Sequence, residues 1–180
     1  VSISAHLSPE PERRLWIIHE NMRRSAEWTD QKIGALTAFA AAELAAAVFS
    51  APLGPLRALE LFSLAAALPL GVFAFTPLTR LPALLSFLDE AKHKTSVNDC
   101  LISVEDVARH TRAELVLRLD KYLGGGITAT PYYEDIVGQI IDWAAIASRK
   151  QRLFRFSCLL VGFAQLCLCA RLLAAAYPPR

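Results

Sequence analysis

Chemistry-bearing residues are scarce in this chain of 180 residues, and each scarcity excludes a class of function. There are four cysteines. Cys158, Cys167 and Cys169 lie in an apolar run, where a free Cys behaves as a small hydrophobe, and Cys100 lies in the polar middle. No CxxC pair and no His/Cys spacing suited to zinc occurs, so neither a disulfide framework nor a metal site is expected. The four histidines, His6, His19, His93 and His110, have no evident Ser or Cys partner. With no nucleophile–base pair and no carboxylate dyad, the chain is not expected to be an enzyme or to hold a cofactor. Gly124-Gly125-Gly126 lacks the following Lys-Ser/Thr of a phosphate-binding loop and reads as a flexible connection. The formal net charge is only +2, so bulk charge gives no reason to expect a nucleic-acid partner. Residues 1–12 are polar, with Pro9 and Pro11, and show no basic segment, apolar core and cleavage site in succession. A cleaved signal peptide is therefore not expected.

What the chain does have is long apolar runs. Hydrophobic residues make up 54%, a fraction some soluble domains reach, so their distribution decides. Ile33 to Ala51 is about the length needed to cross the hydrocarbon of a bilayer. It is rich in Ala, which lets helices approach closely. One charge, Glu43, interrupts it near the centre. A charge there is costly against lipid, so Glu43 should face another helix or a water-filled cavity, or carry a proton. After the Pro52-Leu53-Gly54-Pro55 turn, Leu56 to Leu81 forms a second run, with Pro69 inside it as a source of a kink. From Phe156 to Ala170 no charged residue occurs.

Between these runs the pattern is that of amphipathic helices. From Glu12 to Lys32, Leu15, Ile18, Met22, Ala26 and Thr29 make one stripe, with Trp16 and Trp28 at its flanks. A helix is expected from Ser103, with Asp106 as its capping partner, through Leu115 and Leu119 to Tyr122. Thr130-Pro131 is a good start for a last helix, since Thr suits the N-cap and Pro the first turn. There Ile136, Ile140, Trp143 and Ala147 recur at helical spacing, widened by Val137, Ile141 and Ala144. If this helix runs on to Tyr177 it is on the order of 70 Å long.

The expected fold is thus all-α: an integral membrane protein with three transmembrane helices and a cytoplasmic helical region continuous with the last span. The divisions are a cytoplasmic helix over 1–32, a two-span hairpin over 33–81, a helical sensor region over 82–152, and a third span over 153–177. Lys32, Arg80, Arg149, Lys150 and Arg152 flank the spans on one side, and Arg57, Arg171 and Arg180 on the other. Positive charge is retained inside, so the N-terminus is expected in the cytoplasm and the C-terminus outside.

Two local patterns carry a resemblance. One is Ala26-Glu27-Trp28-Thr29-Asp30-Gln31-Lys32 leading into an Ala-rich span. The other is Tyr133 to Ile140, then Ile146-Ala147-Ser148-Arg149-Lys150 and Leu153, leading into the last span. Their order, with a two-span hairpin between them, resembles the Pycsar effector transmembrane family of bacterial anti-phage defence. The resemblance implies an inner-membrane effector. It would respond to a cyclic pyrimidine mononucleotide, cyclic CMP or cyclic UMP, made by a partner cyclase on infection. It would then impair the membrane and halt the cell.

A cyclic nucleotide presents a phosphate charge, a π-face and polar base edges, so a receptor needs a cation, an aromatic ring and an amide or carboxylate. The matched segments supply Lys32, Arg149 and Lys150; Trp28, Tyr132, Tyr133 and Trp143; and Asp30, Asp135 and Gln139. The candidate ligand-binding residues are Asp30, Lys32, Tyr133, Asp135, Gln139, Arg149 and Lys150, with Glu43 as a polar group inside the membrane. The same residues also fit plainer roles: Asp30 pairing with Arg149 or Lys150 between helices, and the basic ring anchoring to lipid headgroups. Three spans are too few to enclose a pore, so a homo-oligomer in the bilayer is expected. Other functions remain open, namely a membrane-anchored helical scaffold without its own ligand, or an effector for a different cyclic nucleotide or oligonucleotide.

Overall fold

The computed structural model describes residues 9–49, 54–76, 100–122 and 131–176. Among them every regular element is an α-helix: α1 (Pro9–Val48), α2 (Pro55–Ala74), α3 (Val104–Val107), α4 (Arg112–Tyr122) and α5 (Pro131–Ala176). The chain divides into two compact units. The first comprises Val1–Trp28 and Leu78–Arg149, the second Thr29–Pro77 and Lys150–Arg180. The expected helix breaker at Gly124–Gly126, the Thr130 cap and the end of the second apolar run toward Leu81 lie outside the described residues.

Two of the helices are continuous where the sequence suggests seams. The amphipathic stretch from Glu12 and the apolar run from Ile33 belong to one 40-residue helix, α1. Its buried residues explain why. Leu15, His19, Met22, Ala26, Thr29, Ile33, Ala40 and Ala47 repeat every three, four or seven positions, so one stripe continues while the opposite face changes from charged to apolar. Helix α5 is likewise unbroken over 46 residues, through the basic cluster Arg149–Arg155.

In the first unit, α1, α3, α4 and α5 meet in one core. Leu15 and Met22 pack with Val107, Leu115, Leu119, Ile136, Val137, Ile140 and Ala144. The single helix expected from Ser103 is instead two. The capping pair is Thr111 and Glu114: Thr111 N and Oγ1 both donate to Glu114 Oε2 at 2.9 Å. This reciprocal box starts α4 and ends the possibility of continuing α3 through it. Asp106, expected as a cap partner, accepts from the Cys100 backbone N–H at 3.0 Å instead. Thr111→Ala is expected to cost about 1 kcal/mol, the usual loss for a cap, measured by chemical unfolding of the purified protein. No change would show that the box is not what fixes this start.

On the water-facing side of α1, Glu20 bonds Arg23 and Arg24 at 3.1 Å. Those two guanidiniums hold its carboxyl below the ordinary glutamate range. All three side chains are exposed or nearly so, so the pairs add little to stability.

The second unit joins the apolar part of α1, α2 and the apolar part of α5. Ala40, Leu64, Ala67, Val161 and Ala164 form its core, flanked by Leu36, Leu44, Leu68 and Leu160. Gly71 of α2 lies against Thr37 of α1, and a Cβ at position 71 would collide with the Thr37 hydroxyl. That hydroxyl is held by its own helix, donating to the Ile33 carbonyl at 2.8 Å. Gly71→Ala is therefore expected to destabilise this unit by about 1–3 kcal/mol, as overpacking does. Thermal unfolding in detergent would show it, and Thr37→Ala in the same chain should restore most of the loss.

Among the described residues two helices, not the three expected, are long and apolar enough to cross a membrane: α2 and α5. The segment of α1 after Ile33 falls short for a physical reason. Helix α1 ends at Val48, so a stretch of membrane-spanning length has to take in Gln31 and Lys32 as well as Glu43, and these lower its hydropathy. Large apolar side chains are nonetheless exposed around the second unit, among them Phe39, Phe49, Phe62, Phe73, Phe163, Leu166 and Leu173.

Candidate functional site

The expected ligand residues fall on both long helices, and the structure treats them differently. In the second unit, Lys150 lies on the buried stripe of α5, between Ala147 and Leu153. A buried ammonium needs an anion, and Asp30 of α1 supplies it. Lys150 Nζ donates to Asp30 Oδ1 at 2.6 Å and to Oδ2 at 2.7 Å. The Lys150 side chain is 9% exposed and that of Asp30 33%. This is the interhelical pairing anticipated for Asp30, with Lys150 as its partner. Lys32, two residues on, is exposed, and Arg149 is half-buried.

In the first unit, the start of α5 gathers aromatic and polar groups. Tyr132 and Tyr133 meet edge to face, with ring centroids 5.7 Å apart. Tyr133 is partly buried against the core, and Trp143 packs there too. The Tyr132 hydroxyl donates to Glu12 Oε1 of α1 at 2.9 Å, and that bond pushes its phenol above the ordinary tyrosine range. Asp135 and Gln139, one turn apart, are exposed on α5.

Arg112, which sequence reasoning did not single out, belongs to this group. Its guanidinium lies against Gly138 so closely that a Cβ there would come within 2.9–3.0 Å of it. Gly138 stands three residues after Asp135 and next to Gln139, so the cation rests beside the row these two residues form. Tyr132, Asp135, Gln139 and Arg112 thus place an aromatic ring, a carboxylate, an amide and a guanidinium on one side of the helix start, while Tyr133 turns to the core. That set can read a phosphate and a base edge. The available signal was Gly138 itself, a bare position in an otherwise bulky helix. Nearby, His110 is buried, with Nδ1 2.7 Å from the Asp106 carbonyl oxygen.

The first unit also contains a cavity of about 310 Å³, lined by Arg14, Ile17, Ile18, Asn21, Met22, Leu101 and Ile102. None of the expected ligand residues lines it. Its walls are almost entirely apolar, which suits a hydrocarbon or ring face and offers a phosphate only Arg14.

Glu43 lies in the second unit, half-buried, and accepts a hydrogen bond from Gln165 Nε2 of α5. It therefore faces a neighbouring helix, one of the positions open to a carboxylate in an apolar run.

Comparison with known proteins adds a family. Searches of curated proteins and of solved structures give no match. The model of the Pycsar effector protein domain matches residues 14–177, which include most of both units and both apolar helices. That match and the apolar helices together point to a membrane location. The chain belongs to the Pycsar effector protein domain family and so to the anti-phage effectors signalled by a cyclic pyrimidine nucleotide, with a cyclase as partner in the system.

Proposed function

We propose that this chain is a non-enzymatic receptor and effector. It binds cyclic CMP or cyclic UMP on the cytoplasmic side of the bacterial inner membrane and then impairs the membrane, arresting growth. The observation that carries this reading is the family match, which runs from the charged start of α1 to the end of α5. The recognition surface is the exposed side of the start of α5 with Arg112: the guanidinium takes the phosphate, Tyr132 offers a ring face, and Asp135 and Gln139 read polar edges, while Tyr133 backs them from the core. In the second unit, Lys150 would take a ligand phosphate only by releasing the Asp30 carboxylate, so unchanged affinity in Lys150→Ala removes it as a ligand contact.

The apolar part of α1 crosses the bilayer as well, giving three spans. Its packing against α2 and α5 through Leu36, Ala40 and Leu44 supports this, as does the outward exposure of Phe39 and Val48. The basic residues near Lys32 and Lys150 favour that end as the cytoplasmic one, which puts the C-terminus outside. Several copies associate to disrupt the bilayer. A ligand moves the resting and damaging states relative to each other only through its differential affinity for them, so binding must favour the damaging one.

The test is the loss of an ion gradient or of a trapped dye from liposomes carrying the purified protein, with cyclic CMP, cyclic UMP, cyclic AMP and cyclic GMP added separately. Loss of either with one pyrimidine nucleotide is expected. Arg112→Ala should weaken binding about tenfold or more, the effect of losing one charge-assisted contact to a phosphate. Silence with all four from folded protein would overturn the reading.

A further inference from the structure

The second unit places five polar side chains at one level of an apolar bundle, and they tie each pair of its helices once. Gln165 of α5 donates to Glu43 Oε1 of α1. One turn further along α1, the Ala47 and Val48 carbonyls accept from Arg57 Nη2 of α2, at 2.7 and 3.2 Å. Three residues beyond Arg57, Glu60 is 1% exposed and faces Arg171 of α5 at 3.5 Å. One acceptor atom is left over. Glu43 Oε2 is buried and accepts no hydrogen bond, whereas Glu60 Oε2 is the oxygen that meets Arg171. A buried oxygen without a donor is costly, and a proton or a water would relieve it.

Beside this polar level sits the apolar core. Ala40 precedes Glu43 by three residues, Ala164 precedes Gln165 by one, and Leu64 follows Glu60 by one turn. Asp30 and Lys150 lie further back along α1 and α5, on the other side of Ala40 and Val161. Polar groups that stop at an apolar constriction are the layout of a path closed by dewetting.

We propose that the second unit carries a proton path, with Glu43 as the proton-carrying group and the packed residues around Leu64 as its gate. The inference rests on the reading of the chain as a membrane-spanning effector and specifies the damage. The charges at this level favour a proton over a metal cation. Two carboxylates are matched by two guanidiniums, Arg57 and Arg171, so no net negative charge concentrates metal ions, whereas proton transfer needs only an acceptor oxygen within reach. With the gate open, a carboxylate takes a proton from water on one side and returns it to water on the other. The group is regenerated, and the charge moved is balanced by counter-ion flow.

The experiment uses the full chain in liposomes with an imposed pH gradient, potassium and valinomycin for charge balance, and two trapped dyes. Pyranine reads protons and calcein reads wide holes. Cyclic CMP or cyclic UMP is expected to collapse the gradient while calcein stays inside, and Glu43→Gln, which keeps the shape beside Gln165, should slow the collapse about tenfold or more. Calcein loss at the same rate would overturn the proton path and leave the proposed function standing. Leu64→Ser separates the two readings if neither nucleotide has any effect. It is expected to leak protons without ligand, and the leak should vanish in Leu64→Ser with Glu43→Gln. A folded Leu64→Ser protein as tight as the wild type, or a leak indifferent to position 43, would overturn the inference. Ala67→Ser takes its place if Leu64→Ser does not fold.

Discussion

Asp30→Ala is expected to destabilise the protein by about 3 kcal/mol, because it strands a buried ammonium. Lys150 is nine-tenths buried and directs Nζ at both Asp30 oxygens, so no other group in that pair replaces the lost anion. The reverse change, Lys150→Met, should cost much less. Its thioether suits the apolar stripe, and Asp30, one-third exposed, regains water. The two variants therefore separate a charge effect from a packing effect. Thermal unfolding in detergent, followed by tryptophan fluorescence, gives the comparison. The charge-swapped chain, Asp30→Lys with Lys150→Asp, should recover part of the loss. Equal stability of Asp30→Ala and wild type would mean that the pair adds nothing to holding α1 against α5.

Truncation of Ile140 is the second large effect. Its side chain is 0% exposed and packs in the core shared by α1, α3, α4 and α5. Ile140→Ala removes that burial and leaves a cavity, at a cost of about 2–5 kcal/mol. Hydrogen exchange should show the loss in α3 and α4, whose long partners in that core among the described residues are α1 and α5. Leu117→Ala is the control. Leu117 is 72% exposed on α4, so its truncation should change exchange little. If Ile140→Ala and Leu117→Ala behaved alike, the core assigned to the first unit would be wrong.

Much of this architecture was legible because the signals were local. Pro131 and the Ile136–Ala147 spacing mark α5, and the charge-free run from Phe156 extends it. The pairing of Asp30 with a basic residue of the last helix could be anticipated from opposite charges standing before two apolar runs. What escaped the sequence had a common cause: a local cue overruled by geometry elsewhere. The change from polar to apolar at Lys32 looked like a boundary, yet the buried stripe of α1 passes through it without losing its spacing. Ser103 looked like the start of one long helix, but Thr111 and Glu114 cap a second. Arg112 could not be found from its own neighbours, since its relation to α5 depends on Gly138, a bare position across the fold. Glu60 drew no attention in sequence because Arg171, which meets it, comes from the far end of the chain.

The two buried charges of α2 differ in when their partners are made. Arg57 reaches back to the Ala47 and Val48 carbonyls, which precede it in the chain, so the hairpin can satisfy guanidinium N–H donors as soon as α2 emerges during synthesis. Glu60 has no such earlier partner in the hairpin; its counter-charge, Arg171, arrives only with the last turns of α5. Insertion into a bilayer is thus a sequence of two events with different stability. The hairpin is an intermediate carrying one uncompensated acid, and the arrival of α5 removes that burden.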